Sequence, residues 1–197
     1  MTDQNQLFDL QWAQLKHDEC YHKDIVILPV GQRVKHMALH YAKYTAYFLD
    51  AAERDDRARL SKTVTDAFII ALATANALNQ DLSRELGDRA KSKSLRALGA
   101  GFVVSLPRDA ADSLWVVRQF AHHNGQLAKA CESWDHLEPV PFRVMMKECN
   151  LALLKAVLAE ASACGLDLHD AYKARIREVE SFSMFDAKIR GSAREGV

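Results

Sequence analysis

"VKHMALHYAK", residues 34–43, returns as "VRQFAHHNGQ", residues 117–126. Val34, Ala38 and His40 correspond to identical residues at Val117, Ala121 and His123, and Lys35 and Met37 correspond to Arg118 and Phe120. A second match follows each copy: "ATANALNQDL" (73–82) against "AEASACGLDL" (159–168), with Ala73, Ala75, Ala77, Asp81 and Leu82 repeated. The first match has an offset of 83 and the second an offset of 86, so a loop three residues longer in the second copy reconciles them. This predicts one helix pair used twice. Each pair carries more apolar surface than it can hide alone, and two pairs packed face to face make a four-helix bundle.

Composition agrees with an all-α class. The 197 residues are 49% hydrophobic, with 8 Gly and 4 Pro, which is poor in turn formers. That length suits one globular domain. The 26 basic and 26 acidic residues balance, which argues against a nucleic-acid partner. Cys20, Cys131, Cys149 and Cys164 form no CxxC and read as reduced thiols of a cytoplasmic protein. No apolar run approaches the ~20 residues of a spanning helix, so no membrane role is expected. The N-terminal "MTDQNQLFDLQWAQ" does not read as a signal peptide.

Along the chain, residues 1–31 are expected to hold a short amphipathic helix over 4–20 and then an extended connector. In that connector, "YHKDIVILPVG" (21–31), Ile25, Val26 and Ile27 are expected to pack on the core. Residues 32–82 form the first helix pair, with helices over about 32–54 and 60–79. The run "AFIIALATANAL" (67–78) is apolar on every side, the mark of a buried helix. Residues 83–114 read as a linker, within a polar connection (80–108) whose periodicity Gly99 and Gly101 break; Asp109 or Asp112 is the expected N-cap after it. Residues 115–186 hold the second pair, over about 115–134 and 143–164, with Gly165 as the stop and a last helix over 166–185. Residues 187–197 read as a tail, loose in "GSAREGV".

The helix pair with "ALATANALNQDL" (71–82) and the run "VLAEASACGLDLHDAYKARIREVESFSMF" (157–185) resembles the all-α nucleoside-triphosphate pyrophosphohydrolases. This superfamily holds the MazG-like proteins, dimeric dUTPases and phosphoribosyl-ATP pyrophosphohydrolases. The resemblance covers roughly 32–82 and 115–186, and "VESFSMFD" (179–186) sits where the family has its closing motif. It implies a nucleotide partner, a Mg2+ cofactor and hydrolysis between the α- and β-phosphates. It also implies two copies that imitate the family's dimer within one chain, and leaves a homodimer open.

The family's chemistry needs E-x-x-E and E-x-x-D pairs on facing helices, because an i, i+3 spacing puts both acids on one face. This chain keeps only part of that set. Asp66 stands where the first copy's Asp belongs, but Thr63 occupies its partner position. In the second copy Ala152 replaces the Asp and Lys129 replaces a Glu, leaving Glu132, Asp135 and Glu148. The expectation is Mg2+ held by Asp66, Glu132, Asp135 and Glu148, with Glu132 and Glu148 catalytic and the activity weak or absent. Asp66 is expected at the core edge, paired to Lys62, a hydroxyl or a cation.

Other groups compete for roles. Tyr41, Tyr44 and Tyr47 on "HYAKYTAYF" can stack a base, with Tyr44 the candidate contact, or pack the core. Lys173 in "YKARIRE" is a candidate phosphate contact, with helix-surface charge as the alternative. His36 and His40, with His122 and His123, offer a histidine pair on each copy, and "HDECYH" (17–22) offers His17, Cys20 and His22. The competing function is a non-catalytic helical module that binds a nucleotide or a protein.

Overall fold

The computed structural model describes residues 6–92, 94–106 and 112–195, the last four as backbone. These residues are all-α. The helices are α1 (Gln6–Tyr21), α2 (Lys23–Val26), α3 (Val30–Glu53), α4 (Arg57–Leu78), α5 (Leu82–Leu86), α6 (Leu95–Ser105), α7 (Trp115–Asp135), α8 (Phe142–Ala163), α9 (Leu168–Ser181) and α10 (Asp186–Glu195). A 3-10 turn, Gly87–Lys91, follows α5. No described helix is long and apolar enough to cross a membrane.

Four long helices form the centre. α3 packs against α4 and α7, and α8 packs against the same two. The apolar seam of α3 (Val34, Met37, Tyr41, Tyr44 and Phe48) recurs every three or four residues, so it lies on one helix face and is buried. From Thr63 onward no residue of α4 is exposed, because α1, α3, α8 and α9 all pack on it, as the apolar circumference of 67–78 predicts.

Both helix pairs end alike. After α4 the chain takes φ 51° at Asn79, and Gln80 N donates to Ala75 O at 2.8 Å. After α8 it takes φ 75° at Gly165, and Leu166 N donates to Ala161 O at 2.9 Å. Both are left-handed stops that satisfy the last carbonyls. Asp81 and Asp167 then cap α5 and α9, Asp81 accepting from Arg84 N and Asp167 from His169 N and Asp170 N. The α3–α4 connection spans 54–56 and the α7–α8 connection 136–141, three residues longer.

One polar cluster crosses the centre. Asn150 is fully buried; its Oδ1 accepts from the Tyr41 hydroxyl at 2.8 Å. Its Nδ2 donates to Ala71 O at 3.1 Å and to Gln80 Oε1 at 2.9 Å. α3, α4 and α8 are thereby held in register, since losing any partner would strand a buried polar group.

Several expectations are corrected. The stretch expected as a polar connection is largely helical, through α5, the 3-10 turn and α6. Gly99 does not break α6. A Cβ there would collide with Leu158 O, so glycine lets α6 press onto the α8 backbone. The segment 21–31 is not extended: α2 forms within it, and Ile27 is 80% exposed. Ile25 and Val26 line a cavity rather than the core. The last helix expected over 166–185 ends at Ser181 as α9, and a further helix, α10, takes in 187–195 of the expected tail. Of the two expected caps of α7, Asp109 lies outside the described residues. Asp112 accepts from Leu114 N at 3.1 Å, one residue before the helix begins.

Candidate functional site

A cavity of about 250 Å3 lies between α1, α2, α3, α4 and α9. The end of α1 supplies Gln14, His17 and Asp18, and His22 follows at the α1–α2 junction. α3 supplies Arg33, His36, His40, Lys43 and Tyr44. α4 contributes Asp66 and α9 contributes Arg175. The apolar wall comes from Val26, Ile69, Ile70, Ile176 and Val179.

The α1 end is a cluster. One ligand-type atom from each of His17, Asp18 and His22 lies within 4.8 Å of the others. His17 is buried, and its Nδ1 sits 3.3 Å from Glu180 Oε1. Arg177 donates to the other oxygen of Glu180 at 3.0 Å. Burial pulls the His17 imidazole below its ordinary value, against the pull of Glu180. Gln14 Nε2 donates to Asp18 Oδ1 at 2.7 Å. Burial lifts the Asp18 carboxyl to about 6. Gln14 is 1% exposed, and its Oε1 has no partner among the described residues.

The α3 wall carries a second histidine pair. His36 and His40 sit one helical turn apart, with Nε2 atoms 3.1 Å from each other. Lys43 Nζ lies 3.2 Å from His40 Nδ1 and 4.8 Å from the centre of the Tyr44 ring. Burial first, then Lys43, His36 and His22, holds His40 down to about 4. On the far wall Arg175 pairs with Asp66. Arg33 and Lys43 form no ion pair among the described residues.

The residues singled out in the sequence fall in different places. Asp66 is at the core edge as expected, with its side chain 17% exposed, but its partner is Arg175 rather than Lys62. Tyr44 is buried beside the cavity, while Tyr41 is core and Tyr47 sits under Arg59 on the outside. Lys173 is exposed on α9. Glu132 is exposed and pairs with Lys129 at 3.0 Å; Asp135 is exposed and pairs with Lys35. Glu148 lines a separate hollow with His123 and Lys129. Thus Asp66 and Tyr44 share the main cavity, and Glu148 lines another.

In sequence, His17 and His22 stand apart from His36 and His40, and nothing draws Asp18 and Arg33 to them. Cys20, grouped there with His17 and His22, is exposed and outside their cluster. The only signal is the density of titratable residues in 17–22 and 33–43; what joins them is the packing of α1 on α4, which no local spacing records.

No protein-family model, curated protein or solved structure matches this chain.

Proposed function

We propose that the chain binds a small phosphate-bearing ligand of nucleotide type in the cavity between α1–α4 and α9. The observation that carries this is the pair Arg33 and Lys43, two cations on one cavity wall that form no ion pair among the described residues, with Asp18 the carboxylate that feels the Arg33 charge. Asp66 is already engaged by Arg175, and the lining's three cations, Arg33, Lys43 and Arg175, outnumber its two carboxylates, Asp18 and Asp66, so the cavity favours an anion. Phosphate recognition uses such cations. The apolar wall of Ile69, Ile70 and Ile176 suits the carbon part of the ligand. A volume of about 250 Å3 is below the common ligand-pocket range of ~300–1,000 Å3. It accommodates a phosphate-bearing head rather than a whole nucleoside triphosphate. The resemblance of the helix pairs to the all-α pyrophosphohydrolases narrows the phosphate carrier to a nucleotide.

The same reading includes an internal duplication. Its support is the matched left-handed stops at Asn79 and Gly165, the matched caps at Asp81 and Asp167, and the three-residue difference in connection length. The copies have diverged in use. His40 lines the main cavity, while His123 lines the hollow beside Glu148. In a crystal structure, superposing α3–α4 on α7–α8 should bring Ala75 onto Ala161 and His40 onto His123. Unrelated positions would remove the duplication.

Calorimetric titration of EDTA-treated protein with nucleoside mono- and triphosphates, and with inorganic phosphate, tests the binding role. Arg33→Ala or Lys43→Ala should weaken binding at least ~10-fold, the cost of about 1.4 kcal/mol. Lys173→Ala, on the exposed face of α9, should change little. Absence of binding by every phosphate compound, or binding indifferent to Arg33 and Lys43, overturns the proposal.

A further inference from the structure

We propose that His17, Asp18 and His22 form a binding site for one divalent transition ion of the zinc type. Their ligand-type atoms converge within 4.8 Å on the cavity wall. Two imidazoles and a carboxylate are the donor set of such ions, and imidazole does not suit Mg2+. Three protein ligands leave a coordination position for water or a ligand atom.

Three surrounding features fit this use. Glu180 meets His17 at Nδ1, which fixes the ring and leaves Nε2 as the nitrogen for the metal to take. A carboxylate behind a ligating histidine is a recurring support of metal sites. Arg177 holds Glu180 in turn, so the support is itself anchored. Asp18 is largely shielded yet forms no ion pair among the described residues, and a shielded carboxylate calls for a cation or a metal. Gln14 donates to Asp18 Oδ1, leaving Oδ2 for an ion. The unpartnered, buried Gln14 Oε1 beside it can accept from a metal-bound water.

The second grouping of metal-type side chains among the described residues, Asp167, His169 and Asp170, serves as the internal control. It is largely exposed, and Asp167 is already spent capping α9.

The site deepens the phosphate reading, since an ion there would meet a phosphate held by Arg33 and Lys43 and polarise it. Its test does not need that ligand. The full chain, stripped with EDTA, is titrated with Zn2+ alone by calorimetry and with Co2+ alone by visible absorption. One equivalent should bind at micromolar protein. His22→Ala should abolish the equivalent while the circular dichroism stays native, because His22 is only partly buried. Asp18→Asn should weaken it strongly. Glu180→Gln, a positioning change, should weaken it by ~10–100-fold and alter the Co2+ spectrum. His169→Ala should leave it intact. No bound equivalent in the wild-type chain, or one that survives His22→Ala, overturns the site. Zinc binding without any phosphate binding would keep the metal site and remove only the phosphate reading.

Discussion

Arg175 on α9 reaches Asp66 on α4 with Nε 2.6 Å from Oδ1 and Nη2 3.4 Å from Oδ2. The two residues are 109 apart in sequence, and both side chains are largely shielded. Removing the carboxylate strands a guanidinium beside an apolar wall, with only the more exposed Glu178 left to pair it. Asp66→Ala should destabilise the fold by ~1–3 kcal/mol. Arg175→Lys should recover only part of this pair, because a lysine cannot present two N–H groups in one plane. Urea unfolding of the two variants measures both effects. An unchanged midpoint for Asp66→Ala would show that the pair is neutral.

Gly99 gives a sharper steric test. A methyl group there meets a backbone carbonyl oxygen, Leu158 O, rather than a flexible side-chain tip. α6 must then lift from α8. Gly99→Ala gains helix propensity of ~1 kcal/mol yet should still be destabilising, by ~1–3 kcal/mol net. Gly101→Ala is the control, since a methyl carbon at that position would have nothing within 4 Å. It should be neutral or stabilising. The thermal midpoint of Gly99→Ala should therefore fall, while that of Gly101→Ala holds or rises.

Asp66 and Gly99 also mark where the sequence stops being readable. The seam of α3 and the apolar circumference of α4 are local periodicities, and they place these two helices within a few residues. Gly99 looks the same in sequence whether it ends a helix or lets one approach another. Only the position of Leu158 decides. Lys62 is the local candidate for Asp66, but the partner comes from α9, more than a hundred residues on. The cavity is harder still. Its residues come from five helices, and the fragment 17–22 has no spacing that marks it as facing 33–43. Periodicity predicts what is buried; it does not predict which polar groups meet.

His40 should make stability depend on acid. Its folded value is held at about 4, below the ordinary histidine value of 6.5. Below pH about 6.5 the unfolded chain takes up a proton that the folded site refuses until about pH 4. Stability should therefore fall as pH drops through that window and stay flat above it. His40 is partly open to solvent, so screening limits the loss to ~1–2 kcal/mol. Replacing it by Gln should remove this contribution between about pH 6.5 and 4, leaving the fall due to His17 and His123 and the opposing rise due to Asp18, which burial lifts to about 6. His36, His22 and Lys43 face the same ring, and a slope that persists in His40→Gln would come from His17 or His123, which burial also holds below the ordinary histidine value.

Hydrolysis is where the two sets of candidate residues diverge. Mg2+-assisted cleavage of a triphosphate needs several free carboxylates on one ion beside a polyanion. Here Asp66 is tied to Arg175, Glu132 to Lys129 and Asp135 to Lys35. Glu148 lies in a hollow that it shares with Lys129, whose charge repels Mg2+. Loss of a positioned base alone commonly costs ~10²–10⁴-fold in rate. Pyrophosphate release from common dNTPs with Mg2+ or Mn2+ should therefore be weak or absent. Whatever turnover remains should be insensitive to Glu132→Gln and Glu148→Gln, while Arg33→Ala and Lys43→Ala should lower it by weakening binding. A steady-state assay across a dNTP panel decides between the sites. Turnover in the ordinary range of ~1–10³ per second, abolished by Glu132→Gln or Glu148→Gln, would return the chemistry to the second helix pair and make the α1–α9 cavity a bystander.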